Sequence, residues 1–142
     1  MRVLALDFGR KRIGVAIGDS TDGIAFPREP LGNTPELLQH LLDLVNAEGI
    51  EHIIVGLPLN LQGEEAQIVA PAREFADALE DALLAAGLPI PVDFCDERFT
   101  SILATQAARA SGLTDKDMRG QLDSAAAAIL LVGYFAARES NK

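Results

Sequence analysis

The first nineteen residues, Met1 to Asp19, constrain the fold of this chain more than any other stretch. Val3 to Leu6 is a wholly apolar run of strand length, and a strand that apolar is normally covered on both faces. Asp7 ends it. A carboxylate at the end of a buried strand is costly to desolvate unless hydrogen bonds, a cation or a metal ion compensate it. Asp is also an ordinary turn residue, and this stretch alone leaves both readings open. Gly9 and the basic triplet Arg10, Lys11 and Arg12 then make a turn, and Ile13 to Ile17 read as a second strand. The result is a hairpin with an acid at one shoulder.

Gly23 to Leu31 reads as a third extended segment, and its prolines Pro27 and Pro30 suit an edge or a short strand. Thr34, Pro35 and Glu36 carry the signature of a helix start, with Thr34 as N-cap and proline in first position. Leu37, Leu38, Leu41, Leu42 and Val45 follow at helical spacing up to Gly49. Ile53 to Leu57 is another buried-strand run, and a loop containing Asn60 leaves its end. Val69, Ala72, Phe75 or Ala76, Leu79 and Leu83 form a helical stripe reaching Gly87, in which Pro71 either opens the helix or kinks its first part. Pro91 to Cys95 predicts a fifth strand, with Asp96, Glu97 and Arg98 at its end. Thr100 or Ser101 can cap a short helix through Arg109. A loop from Ser111 to Gly120 leads to a last helix from about Leu122.

Three meandering strands followed by strand, helix, strand and helices predict an α/β fold with a mixed five-stranded sheet and helices on both faces. No repeat or linker interrupts it, so residues 1–142 are expected to form one domain. Its core should be Leu, Ile, Val and Ala, because 49% of residues are hydrophobic while only 5% are aromatic and none is Trp.

Lys and Arg number 12 against 21 Asp and Glu, a net charge of −9 that argues against broad electrostatic capture of nucleic acid. Any polyanion needs a local basic patch. The single cysteine, Cys95, cannot form an internal disulfide and fits a reducing cytoplasm as a small buried hydrophobe. No apolar run has signal-peptide or membrane-spanning length, so neither export nor a membrane partner is expected. With only His40, His52 and Cys95 there is no zinc-type cluster and no spaced metal partner for either histidine.

Sheets of this kind bind ligands beyond the carboxyl ends of their strands. Asp7 ends strand one, and Asp96 and Glu97 end strand five. Asp123 shares a helix face with Ala127, Leu130 and Tyr134, the stripe expected to face the sheet, although an acid there also suits a helix start. Three separated acids at one rim make a hard, oxygen-rich site of the type that suits Mg²⁺ or Mn²⁺. Two such ions about 3.5 to 4 Å apart activate water and stabilise a leaving oxygen in phosphodiester cleavage. Arg10, Lys11, Arg12, Arg98, Lys116 and Arg119 stand beside these acids in sequence and could hold phosphates, unless Arg98 pairs locally and the triplet is a solvated turn. Asn60, Thr100 and Ser101 could donate to phosphate oxygens, though all three are ordinary loop or cap residues.

Four stretches occur together and in order: Leu6-Asp7-Phe8-Gly9 with Lys11 to Ala16, Val55 to Asn60, Asp96-Glu97-Arg98, and Asp123-Ser124-Ala125. With them the chain resembles the YqgF/RuvX family, whose fold is of the ribonuclease H type. The resemblance implies a cytoplasmic, metal-dependent nuclease acting on four-way DNA junctions or on the 5′ end of 16S ribosomal RNA precursors. It also implies Asp7, Glu97 and Asp123 as the catalytic and metal-binding acids. Many family members carry Met-Asp-Gly where this chain has Leu61-Gln62-Gly63, and a more lysine-rich segment where Lys116, Asp117 and Arg119 stand here. The expected partner is RNA, or branched or single-stranded DNA. A two-fold symmetric junction would call for a homodimer. A catalytically silent RNA- or ribosome-binding module is the competing reading.

Overall fold

The computed structural model describes the backbone at residues 1–57, 64–96 and 122–140, and side chains at 1–56, 69–95 and 124–138. Among the described residues there are five strands: β1 Arg2–Asp7, β2 Arg12–Asp19, β3 Ile24–Gly32, β4 His52–Leu57 and β5 Val92–Asp96. They form one sheet in the order β3-β2-β1-β4-β5. β1, β2 and β3 pair antiparallel as a meander, whereas β4 runs parallel to β1 and β5 parallel to β4. The mixed sheet matches the sequence reading; of the two readings left open for β3 it is an edge strand and, at nine residues, not a short one, and Pro27 and Pro30 blunt that edge.

Three helices accompany the sheet among the described residues: α1 Leu37–Glu48, α2 Glu64–Ala85 and α3 Leu122–Ser140. They divide between its two faces, and strand alternation decides which residues meet which helix. Leu4, Leu6, Ile13, Val15, Ile17, Ile53 and Val55 pack with Leu37, Leu41 and Val45 of α1 and Ala76, Leu79 and Leu83 of α2. Val3, Ala5, Ala16, Ala25 and Ile54 pack with Ala127, Ala128, Leu130, Leu131 and Phe135 of α3. On the first face the strands contribute large branched side chains, whereas on the second they contribute chiefly alanine beside Val3 and Ile54. Gly14, Ala16 and Gly18 alternate along β2 on the α3 side, so this helix lies close to the backbone of the sheet. A Cβ on Gly18 would stand 2.3 Å from the Ile24 carbonyl oxygen and 3.0 Å from the Phe135 ring.

One helix boundary differs from expectation. Thr34 is not an N-cap: its carbonyl accepts from the Leu37 N–H at 3.0 Å, so residues 34–36 form a tight turn and α1 begins after it. Glu36 holds the cap position without a side-chain cap bond. Of the two readings left open for Pro71, opening the helix is ruled out: it lies in the first part of α2, on a helix that begins seven residues earlier. Gly49 ends α1 as anticipated, in the left-handed conformation at φ 64°. The C-terminus of α1 is tied back by Glu48, whose backbone oxygen accepts from Arg2 Nε at 2.7 Å and whose carboxylate pairs with Arg2 and Arg28.

Candidate functional site

β1 is the middle strand, and Asp7 closes it, paired with Gly14 of β2 on one side and Gly56 of β4 on the other. Leu6 and Phe8 turn toward α1 and α2, and Phe8 seats its ring 5.3 Å from that of Phe75. Alternation therefore sends Asp7 to the opposite face, the one that α3 covers. Its side chain is half-buried. Gly56 pairs in turn with Cys95, so the carboxyl ends of β1, β4 and β5 line up on one rim. Cys95 packs against the α3-side cluster but is half-buried rather than buried as expected, because it stands on the edge strand β5.

α3 begins at the same corner. Ser124 Oγ accepts from the Val15 N–H at 3.1 Å, and Val15 is the partner of Leu6, the residue before Asp7. Asp123 is the second residue of α3, so its backbone enters the fold beside the end of β1. Of the stripe expected to face the sheet, Ala127 and Leu130 are buried and Tyr134 lies against the same cluster.

The basic turn is held in shape by two devices. A Cβ on Gly9 would stand 2.5 Å from the Arg12 carbonyl oxygen, so only glycine allows the chain to fold back so tightly. Asn33, just past β3, donates from Nδ2 to the Gly9 carbonyl at 3.0 Å and from its backbone N–H to the Lys11 carbonyl at 2.9 Å. Arg10, Lys11 and Arg12 are exposed around this tether, next to Asp7 in the chain. Asn33 went unnoticed in the sequence, where a lone Asn between a strand and a helix carries no signal beyond turn preference.

Glu97, Arg98, Asn60, Thr100, Lys116 and Arg119 lie outside the described residues, as does the side chain of Asp123. So do the short helix expected from Thr100 or Ser101 to Arg109 and the loop from Ser111 to Gly120. Among the described residues no three His, Cys, Asp or Glu side chains gather within reach of one ion, and two of the three candidate acids fall outside that set. The donors proposed for the rim are carboxylate oxygens, which fit a hard divalent ion by their chemistry. His52 is far from this rim: it opens β4 and places Nε2 2.8 Å from Asp93 Oδ2, outside hydrogen-bond alignment.

Among the described residues no helix is long and apolar enough to cross a membrane. Residues 1–137 match the RuvX family, described as Holliday junction resolvase. A protein of Chloroflexus aurantiacus named "Putative pre-16S rRNA nuclease" is 39% identical over 141 residues, covering 98% of this chain and 89% of the relative. A protein of the same name from Maridesulfovibrio salexigens is 36% identical over 138 residues, covering 96% and 98%. Among solved structures, T. thermophilus RuvC in complex with a Holliday junction substrate superposes with a TM-score of 0.61 at 18% identity, covering 98% of this chain and 96% of that one. The fowlpox virus Holliday junction resolvase gives 0.56 at 13% identity, covering 97% and 99%. These structural likenesses establish the fold, which is that of the ribonuclease H type seen in RuvC. The match over nearly its whole length, with relatives at this level of identity, makes the chain a member of the RuvX family.

Proposed function

We propose that this chain is a single-domain, metal-dependent nuclease that hydrolyses phosphodiester bonds in RNA, acting in the cytoplasm on the 5′ end of the 16S ribosomal RNA precursor. The observation that carries the reading is Asp7: a half-buried carboxylate at the carboxyl end of the central strand, on the face where α3 begins. Kinship with proteins named as pre-16S rRNA nucleases supports the choice of substrate.

In this reading Asp7, Glu97 and Asp123 would hold Mg²⁺ or Mn²⁺, with two ions expected, and the metal would supply activation of water and positive charge at the leaving oxygen. The chain's own residues do the rest. Three carboxylates brought together would repel one another, a cost that a bound divalent cation would relieve. Arg10, Lys11 and Arg12 present phosphate-binding charge beside Asp7, with Arg98, Lys116 and Arg119 adding to it and Asn60 and Thr100 donating hydrogen bonds. Because the whole chain carries −9, binding relies on this local collar and weakens steeply with salt. A four-way junction would require two such sites related by two-fold symmetry, and hence a homodimer.

The test is cleavage of labelled precursor RNA, duplex RNA and a four-way DNA junction, with and without Mg²⁺ or Mn²⁺, beside the Asp7→Asn variant. RNA product that depends on metal and is lost in Asp7→Asn, with circular dichroism unchanged, is the expected result. Activity that survives excess chelator or the Asp7→Asn exchange refutes it. RNA binding without product over long incubation would identify a silent binding module instead.

A further inference from the structure

Ser124 is the one buried polar side chain among the described residues, with 0% of its surface exposed. It stands in the first turn of α3, followed by Ala125, Ala126, Ala127 and Ala128. Space-filling at this position would be served by another alanine. The hydroxyl instead accepts from the Val15 N–H at 3.1 Å, a contact between residues 109 positions apart. It falls where the β2–β3 ladder slips: Ile13 pairs with Leu31 but Val15 pairs with Arg28, so β3 carries one extra residue. Gly14 and Ala16 flank Val15 and carry little or no side chain on the α3 side, which leaves room for the helix to reach the strand backbone.

A hydrogen bond has direction and length where apolar packing has neither, so this contact fixes the height and rotation of the first turn of α3 against the sheet. The residue before Ser124 is Asp123, and the residues opposite Val15 and Gly14 are Leu6 and Asp7. We infer that Ser124 is a positioning residue: by accepting from the Val15 N–H it locks the start of α3 against the end of β1 and so sets the separation of Asp123 and Asp7 for divalent-cation binding. The inference rests on the nuclease reading above. Supports of this kind around metal ligands typically change metal affinity when removed, because the ligands must be held to within a fraction of an ångström.

The experiment measures Mn²⁺ binding to the full chain by calorimetry without substrate, at a temperature where circular dichroism shows each protein folded. Amide exchange at Val15 is followed by NMR on the same samples. Ser124→Ala removes the acceptor and Ser124→Cys retains a weak one. Expected are faster exchange at Val15 and Mn²⁺ affinity weakened about tenfold or more in Ser124→Ala, with Ser124→Cys in between. A folded Ser124→Ala that binds Mn²⁺ as tightly as the wild type overturns the inference while leaving the nuclease reading intact. Should Ser124→Ala not fold, Ser124→Cys decides: wild-type affinity overturns the inference and weakened affinity supports it. A wild type that neither binds Mn²⁺ nor cleaves removes both readings together.

Discussion

Gly18→Ala tests how closely α3 approaches the sheet. Gly18 has an ordinary strand backbone, absent from the positive-φ glycines, so alanine is not strained by conformation there. Its Cβ would stand 2.3 Å from the Ile24 carbonyl oxygen, 3.0 Å from the Phe135 ring and 3.1 Å from Ala25 Cα. Two of those three atoms belong to the backbone of β3, paired with β2, and no rotamer change moves them. Overpacking of this kind costs about 1–3 kcal/mol, and a collision with paired backbone belongs at the upper end, about 3 kcal/mol. Alanine also reduces the freedom of the unfolded chain, which offsets about 0.4–1 kcal/mol. The net is about 2–2.5 kcal/mol of destabilisation, which lowers Tm by about 8–10 °C at roughly 4 °C per kcal/mol for a chain of this size. Gly49→Ala serves as the contrast: nothing lies within 4 Å of its Cβ, but its φ of 64° penalises any side chain. It should cost about 1–2 kcal/mol through backbone conformation alone. Urea unfolding followed by circular dichroism measures both. A Gly18→Ala protein within about 0.5 kcal/mol of wild type, the range of an ordinary surface exchange, would refute the close approach.

Three further outcomes follow from the structure. The Thr21 amide and hydroxyl, then the ammonium of Met1, hold the Asp19 carboxyl below its ordinary value of 3.8, at about 2. A depressed carboxyl contributes stability that is complete above its unfolded pKa and is lost as pH falls through the folded one, so Asp19→Asn should flatten the pH dependence of the urea midpoint between about pH 4 and 2. Leu79→Ala empties a wholly buried position between α2 and the sheet and should destabilise by about 2–5 kcal/mol in the same assay. Under the proposed function, Lys11→Ala removes an exposed cation from the tethered turn and should reduce the slope of log affinity against log salt for RNA by about 1 while leaving the melting curve in place.

Much of this architecture was legible because strand and helix periods are local properties. The apolar runs at Val3, Ile13 and Ile53 became the middle three strands of the sheet, and two prolines marked β3 as an edge. The stripe through Ala72, Ala76, Leu79 and Leu83 became the buried face of α2 even though Pro71 interrupts it. Thr34 misled because a capping residue and a turn residue look alike until the acceptor of the Leu37 N–H is known. Asp7 was visible as an acid at a strand end, and its neighbours in space were not.

The order of polar and apolar residues along the chain thus determined which segments are strands and helices, which side of each is apolar, and that acids stand at segment ends. Only the tertiary structure decided that Ser124 meets Val15, that Asn33 ties down the basic turn, and that small residues gather on one face of the sheet to admit α3. Periodicity reports how a residue stands relative to its own element. Contacts between residues 24 or 109 positions apart depend on strand order, register and one slipped ladder step, which are set by packing the whole chain at once.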